Sequence, residues 1–371
     1  MKHDIQVYRC TYADEQTHVP PAETALIVTG DEPCVPEGYG LYLVAEERPN
    51  LDLPAESTYK MPAGCESGSF VLLADDGGEK RLSLAGSADI PDRTLFTTGQ
   101  CNSNCIMCPY TQGYRVNAQH ESLPLMLRYV ELMDPRAEYL CITGGEPTLL
   151  RDDFLALMEK VRGHFSNAMV HILTNGRTFA YPDFLAAFQK VRPYKTLLGI
   201  PLHADNAQLH DYISQAPGSF EETLRGLDNL YARGEHIELR IVTSKLNREN
   251  LPALARMIAR RYPYVQHVCM MGLEMMGNAM VNRGEVWCGY DEIWPYVREA
   301  TELLIRGGVQ VELYNYPLCL VDRPLQPLYR RSITPSKVEY LDACAPCKRR
   351  DACGGFFRTT KVMPDIAVKP Y

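Results

Sequence analysis

The sequence predicts an α/β fold: a partial (β/α)6 barrel of the TIM type, preceded by a β-rich N-terminal domain and followed by a cysteine-rich C-terminal extension. Three observations carry this. From residue 93, β-prone runs alternate with stretches of helical period; before residue 92 there are only short apolar runs broken by Gly and Pro; beyond about residue 310, prolines and cysteines accumulate without a period. The domains expected on this reading are 1–92, 93–309 and 310–371.

In the first region, 25–29 and 39–44 read as strands, and 69–73 and 80–84 flank Asp75-Asp76-Gly77-Gly78, a hairpin signal. In the second, strands are expected at 94–98, 138–143, 169–174, 196–201, 237–243 and 267–272. Between them, Phe154, Leu157, Met158, Val161 and Phe165 recur at helical spacing, Ser219 with Glu222 forms a capping box, and Asn250 stands at a helix start. Consecutive βα units imply a parallel sheet, and six rather than eight imply a barrel left open on one side. A last helix is expected over 290–306, with Pro295 obscuring its start, and the segment from about 310 reads as irregular.

Composition narrows the function. The net charge of −8 argues against a general nucleic-acid binder. There is no apolar h-region at the start and no run of about 18 apolar residues, so a cytoplasmic protein without membrane association is expected. Thirteen cysteines, an odd number and clustered, fit metal ligation in a reducing compartment better than a disulfide framework. Cys10, Cys34, Cys65 and Cys141 stand outside the clusters and are expected to be small buried hydrophobes.

In a parallel βα barrel the chemistry sits at the C-terminal ends of the strands, and the chemical signatures all fall there. After the first strand, Cys101, Cys105 and Cys108 form a C-x3-C-x2-C array. Three thiolates can hold one corner of an iron–sulfur cube and leave the fourth iron open, whereas electron-carrier cubanes take four cysteines and structural zinc wants a fourth local ligand. After the second strand comes Gly144-Gly145-Glu146-Pro147, which standing alone is as readily an ordinary strand-to-helix turn.

The triad spacing resembles the signature of the radical S-adenosylmethionine (SAM) superfamily, and Gly144–Pro147 resembles its GGEP motif. The resemblance covers residues 93 to 280. It implies a [4Fe–4S] cluster on Cys101, Cys105 and Cys108, with SAM chelating the open iron and its amino group meeting the Gly144–Pro147 loop. Thr174 and Asn175, followed by Gly176, resemble the ribose-facing loop. Arg240, Ser244 and Asn247 stand where the family places groups near the SAM carboxylate and ribose, and Gly272-Leu273-Glu274 stands near the adenine region. Met107 replaces a frequent aromatic residue before the third cysteine and is expected to pack in its place. His203 is read as a hydrogen-bonded barrel histidine.

Cys344, Cys347 and Cys353 form a C-x2-C-x5-C array that resembles part of the auxiliary-cluster extensions of peptide-modifying radical SAM enzymes. Cys319 would complete an auxiliary [4Fe–4S] ligand set, Cys288 is the second choice for that place, and a zinc knuckle is the alternative occupant. Met107 and the Cys353-Gly-Gly-Phe-Phe357 stretch are most similar to the His-Xaa-Ser system radical SAM maturase, C component. That resemblance implies reductive cleavage of SAM to a 5′-deoxyadenosyl radical and oxidative modification of a ribosomally made precursor peptide. It also implies an electron donor such as flavodoxin or ferredoxin, and a second radical SAM protein as companion. A radical SAM enzyme acting on a small molecule, a glycyl-radical enzyme activase, and a non-catalytic partner subunit are the alternatives.

Overall fold

The computed structural model describes residues 4–13, 15, 17–28, 35–44, 53–63, 65–76, 79–86, 93–364, 366, 368, 370 and 371. Cys34 and the Gly77-Gly78 turn lie outside the described residues. Six strands, β1 (Asp4–Thr11), β2 (Thr24–Val28), β3 (Leu41–Val44), β4 (Thr58–Lys60), β5 (Phe70–Asp76) and β6 (Glu79–Gly86), form a sheet in the order β4-β3-β2-β1-β5-β6. β1 to β4 pair in parallel, and β5 and β6 form the expected hairpin, paired from Asp76↔Glu79 to Phe70↔Gly86. The apolar runs of β2 and β3 are buried on both faces, the usual state of parallel strands. Cys10, Ala25, Ile27, Leu43 and Val71 make one layer, and Leu26, Val28, Tyr42 and Val44 the other. Cys10 and Cys65 are buried within the first layer, as expected of isolated cysteines.

The second sheet has seven strands in the order β13-β12-β11-β10-β9-β8-β7. They are β7 (Arg93–Phe96), β8 (Tyr139–Thr143), β9 (Met169–Leu173), β10 (Lys195–Pro201), β11 (Ile237–Thr243), β12 (His267–Gly272) and β13 (Val311–Tyr314). β10 to β13 pair in parallel. The six expected strands are present within two residues at each end. The seventh, β13, corrects the reading of 310 onward as irregular. Its Val-Glu-Leu-Tyr alternates apolar and polar residues over only four positions, too few for a periodic signal to stand out from the prolines that follow.

The helices are α1 (Gln112–Asn117), α2 (Leu123–Leu132), α3 (Asp152–His164), α4 (Pro182–Val191), α5 (Ala207–Ser214), α6 (Ser219–Ala232), α7 (Leu251–Arg261), α8 (Asn278–Val281), α9 (Arg283–Val286) and α10 (Tyr290–Arg306). No described helix is long and apolar enough to cross a membrane. α10 spans the expected residues with Pro295 inside its second turn. The capping box is not built. Gly218, not Ser219, holds the cap position of α6, and Asp211 within α5 accepts from Gly218 N, Phe220 N and the Ser219 hydroxyl. A carboxylate from the preceding helix thereby satisfies free helix donors that a local serine would otherwise take. Asn250 does sit at the start of α7, but its side chain exchanges hydrogen bonds with Asp205 instead of capping.

By internal contacts the chain divides into two compact units. One comprises 1–96, 121–141 and 156–169, and the other 97–120, 142–155 and 170–371. The expected site residues all belong to the second.

Candidate active site

The loop after β7 carries Cys101, Cys105 and Cys108, and the chain beside it is shaped to hold it. Gly145 N donates to Thr98 O (2.6 Å) and Glu146 N to Gln100 O (2.8 Å). A Cβ on Gly145 would lie 2.1 Å from Gln100 O, and one on Gly144 2.5 Å from Thr98 O. The glycines after β8 are therefore required for the backbone to lie against the stem of the cysteine loop. Replacing Gly145 with alanine is expected to displace that stem. Overpacking against backbone costs about 1–3 kcal/mol, so Gly145→Ala is expected to lower the thermal unfolding midpoint measurably and to weaken retention of iron on the cysteine loop.

Further along, Asn104 N donates to Ser214 O and Ile106 N to Ile213 O, both at the end of α5. Asn278 donates to Cys105 O (3.1 Å) and Asn282 to Ile106 O (2.9 Å). Arg177 donates to Asn102 O (2.7 Å), and Arg115 donates to Ser103 O. Sequence reading missed these four residues, because an Asn or Arg far along the chain gives no signal until the fold brings it back. Met107 is buried with Ile106, Ile213, Leu273, Met275 and Met363, an apolar floor under the loop.

The three thiols are half-buried. Burial, and then the carboxylate of Glu146, hold the Cys101 thiol up to about 11. Burial, and then the neighbouring Cys101 and Cys108, push Cys105 up to about 12. Thiolates that oppose one another in a poorly solvated pocket call for a multivalent cation to gather them. The donor set thus fits the implied iron–sulfur cluster.

Glu146 lies at the centre of this loop's hydrogen bonding. It is fully buried, and its carboxylate accepts from Thr148 N (3.1 Å), the Thr148 hydroxyl (2.7 Å), the Thr174 hydroxyl (2.7 Å) and Asn175 N (2.5 Å). These bonds tie the loop after β8 to Thr174-Asn175-Gly176 after β9, so the carboxylate positions that loop. Burial raises its pKa, and the four donors pull it back. Asn175 carries the link onward by donating to Asn102 Oδ1 (2.6 Å), beside Cys101.

The remaining expected residues are spread more widely. Asn247 is fully buried and closes the turn after β11, accepting from Ser244 N and donating to His203 O and Val242 O. Ser244 lines a cavity with Thr243, Gly272, Leu273 and Cys288. Arg240 pairs with Glu238 on the inner face of the sheet. Glu274 is held by Lys337. His203 is buried against His210, with ring centroids 5.1 Å apart, and burial depresses its pKa to about 3. Its backbone N and O are hydrogen-bonded, but its ring Nδ1 is buried without a partner among the described residues, so the ring is packed rather than hydrogen-bonded there as expected.

Cys319, Cys344, Cys347 and Cys353 line one cavity, closed by Pro317, Leu318, Phe356 and Tyr371 and flanked by Arg349 and Arg350. Leu318 N and Gly355 N both donate to Cys353 Sγ (3.3 and 3.4 Å). Cys288 lines the other cavity, with Ser244, so the structure groups Cys319 with the C-terminal array and sets Cys288 apart.

The structure thus sets a three-cysteine loop at the C-terminal end of a strand of a largely parallel sheet. Residues 95–258 match the Radical SAM superfamily, and the chain therefore contains a radical SAM domain, a fold that works with a [4Fe–4S] cluster and SAM. The chain is 26% identical over 155 residues to the AdoMet-dependent heme synthase of Methanosarcina barkeri, covering 42% of this chain and 43% of that protein. It is 29% identical over 168 residues to the mycofactocin maturase MftC of Mycolicibacterium smegmatis, covering 45% and 41%. It thus spans less than half the length of these relatives. Among solved structures, SuiB of Streptococcus suis bound to its precursor peptide SuiA aligns with a TM-score of 0.46 at 11% identity, over 60% of this chain and 48% of that one.

Proposed function

We propose that the chain is a radical SAM peptide maturase, with the cluster on Cys101, Cys105 and Cys108 and an auxiliary [4Fe–4S] cluster on Cys319, Cys344, Cys347 and Cys353. The observation that carries the reading is the cysteine loop itself: three half-buried thiols on one loop at a strand end, inside a stretch that matches the superfamily. Cys101, Cys105 and Cys108 would hold the cluster, which with SAM would supply one-electron radical chemistry. The protein's own part is positional. Backbone of Gly144 to Glu146 supports the loop, Glu146 and Asn175 lock the adjoining loop to it, and Met107 with Leu273 and Met275 keeps water from beneath it.

The peptide substrate is supported by the likeness to a mycofactocin maturase and by the C-terminal cysteines. No three of those sulfurs lie within 4.8 Å of one another among the described residues. A tetrahedral zinc with bonds of about 2.3 Å would draw them to about 3.8 Å, whereas a cubane takes one thiolate per iron and spreads them. An auxiliary cluster there would accept the electron left after hydrogen abstraction and a proton loss, so that the peptide undergoes a net oxidation. A His-Xaa-Ser repeat precursor, a second radical SAM companion and a flavodoxin or ferredoxin donor complete the proposal, with the cytoplasm as its setting.

The test is anaerobic reconstitution with a low-potential reductant, SAM and a neighbouring-gene precursor. Formation of 5′-deoxyadenosine together with a peptide lighter by one hydrogen pair is expected. SAM cleavage with an unaltered peptide would move the substrate to the small-molecule class, and no SAM cleavage by cluster-loaded protein would leave only a non-catalytic partner.

A further inference from the structure

Most of the inner face of a barrel sheet is apolar packing, but the N-terminal half of this one is polar. Side chains at alternate positions of β11, β12 and β13 share that face, and the register sets Glu238 beside His267, Cys269 beside Glu312, and Met271 beside Tyr314. On β10 the position beside Glu238 is Gly199, and a Cβ there would lie 2.7 Å from His171 Nε2. The glycine thereby lets His171 reach across from β9, to 3.6 Å from Glu238 Oε1. His267 Nε2 lies 2.9 Å from Glu238 Oε2 and 3.7 Å from Glu312 Oε2. Glu238 and Cys269 are buried, and a carboxylate oxygen, an imidazole nitrogen and the Cys269 sulfur all lie within 4.8 Å of one another.

We propose that Glu238, His267 and Cys269 form a site for one zinc-class divalent ion on the inner face of the barrel, at the end opposite the cysteine loop. One oxygen, one nitrogen and one sulfur on two adjacent strands is a donor set that borderline-soft ions such as zinc accept. A bound ion would draw the three atoms together by about an ångström and release the Cys269 proton. The surroundings are already those of a supported site. Arg240 takes Glu238 Oε1 and so leaves Oε2 toward His267. Tyr314 donates to Glu312 Oε2 (2.7 Å), whose other oxygen is held by Arg330 (2.9 Å). His171, its Nε2 3.6 Å from Glu238 Oε1, is near enough to hold the carboxylate or to supply a fourth ligand. The ion would clamp β11 to β12 beneath the reaction space, a role apart from the radical chemistry and independent of it.

The test uses the full chain, cluster-loaded under anaerobic conditions, equilibrated with one equivalent of zinc, desalted and assayed for zinc, iron and sulfide. One zinc per chain is expected, lost in Cys269→Ala and in His267→Gln with iron and sulfide unchanged. Zinc-edge X-ray absorption of the unaltered protein provides a second readout should those variants fail to fold, and a single sulfur among nitrogen and oxygen neighbours is expected. An all-sulfur shell, no retained zinc, zinc unchanged in both variants, or zinc lost in Cys344→Ala instead would each overturn the site. None of these readouts depends on SAM cleavage, so the site and the proposed activity stand or fall separately.

Discussion

Replacing Cys105 with alanine is expected to remove about four irons per chain and to abolish formation of 5′-deoxyadenosine. The reason lies in where the thiol sits. Cys105 is the member of the triad that both other cysteines act upon, and burial is the first cause of its raised pKa. A cluster that has lost this ligand keeps only Cys101 and Cys108, on either side of the gap, and presents two open irons where SAM can chelate one. Enzymes lower barriers by factors of about a million or more, so loss of the cluster should read as no turnover at all rather than as a slower rate. The fold should survive. The loop is pinned by backbone bonds from Asn104 and Ile106 to the end of α5 and by Asn278 and Asn282, none of which involves the thiol. Thermal unfolding near that of the unaltered chain, with iron content roughly halved and SAM intact, is the expected pattern. Continued SAM cleavage by Cys105→Ala would remove the basis for assigning this loop to the cluster.

The sequence disclosed the elements whose signals are local. Strand limits at 237–243 and 267–272 are identical to those expected, because each is a continuous β-prone run bounded by turn residues. The cysteine triad and the Gly144–Pro147 loop were legible for the same reason, since their ligands are adjacent in the chain. What stayed hidden is whatever depends on distant residues meeting. The motif marks Glu146, and only the fold shows that its carboxylate also links Thr148, Thr174 and Asn175. Ser219 and Glu222 satisfy a capping rule, yet Asp211 outcompetes the serine from another helix, and Glu222 pairs with Arg177 instead. The pairing of the Arg240 guanidinium with Glu238, two residues away, is equally invisible to a motif. Neither the polar inner face nor β13 leaves a local trace, because alternate residues on four separate strands build the one and four residues alone make the other.

Cys319 and Cys288 pose the sharpest choice that the sequence left open, and the fold makes it testable. Cys319→Ala is expected to lose about four irons while SAM cleavage in the absence of peptide stays within a few-fold of the unaltered chain. Cys288→Ala is expected to keep its full iron content. The argument is one of enclosure. Cys319 shares a cavity with Cys344, Cys347 and Cys353, closed by apolar side chains and bordered by two arginines. A cluster there would be shielded from water, and the guanidiniums would offset its negative charge, which favours taking up an electron. Arg349 lies over Tyr371 (4.9 Å to the ring centroid) and Arg350 over Tyr340 (4.5 Å), so both cations are held in place and not left to swing in solvent. Cys288 shares its cavity with Ser244 and Gly272, where no second cysteine stands among the lining residues. Because the C-terminal cluster would serve the substrate radical and not SAM, Cys319→Ala should uncouple the two halves of the reaction: 5′-deoxyadenosine still forms, and oxidised peptide falls at least tenfold. Full iron retention in Cys319→Ala with loss in Cys288→Ala would reverse the ligand assignment, and full retention in both, with zinc in the cavity, would replace the auxiliary cluster with a structural ion.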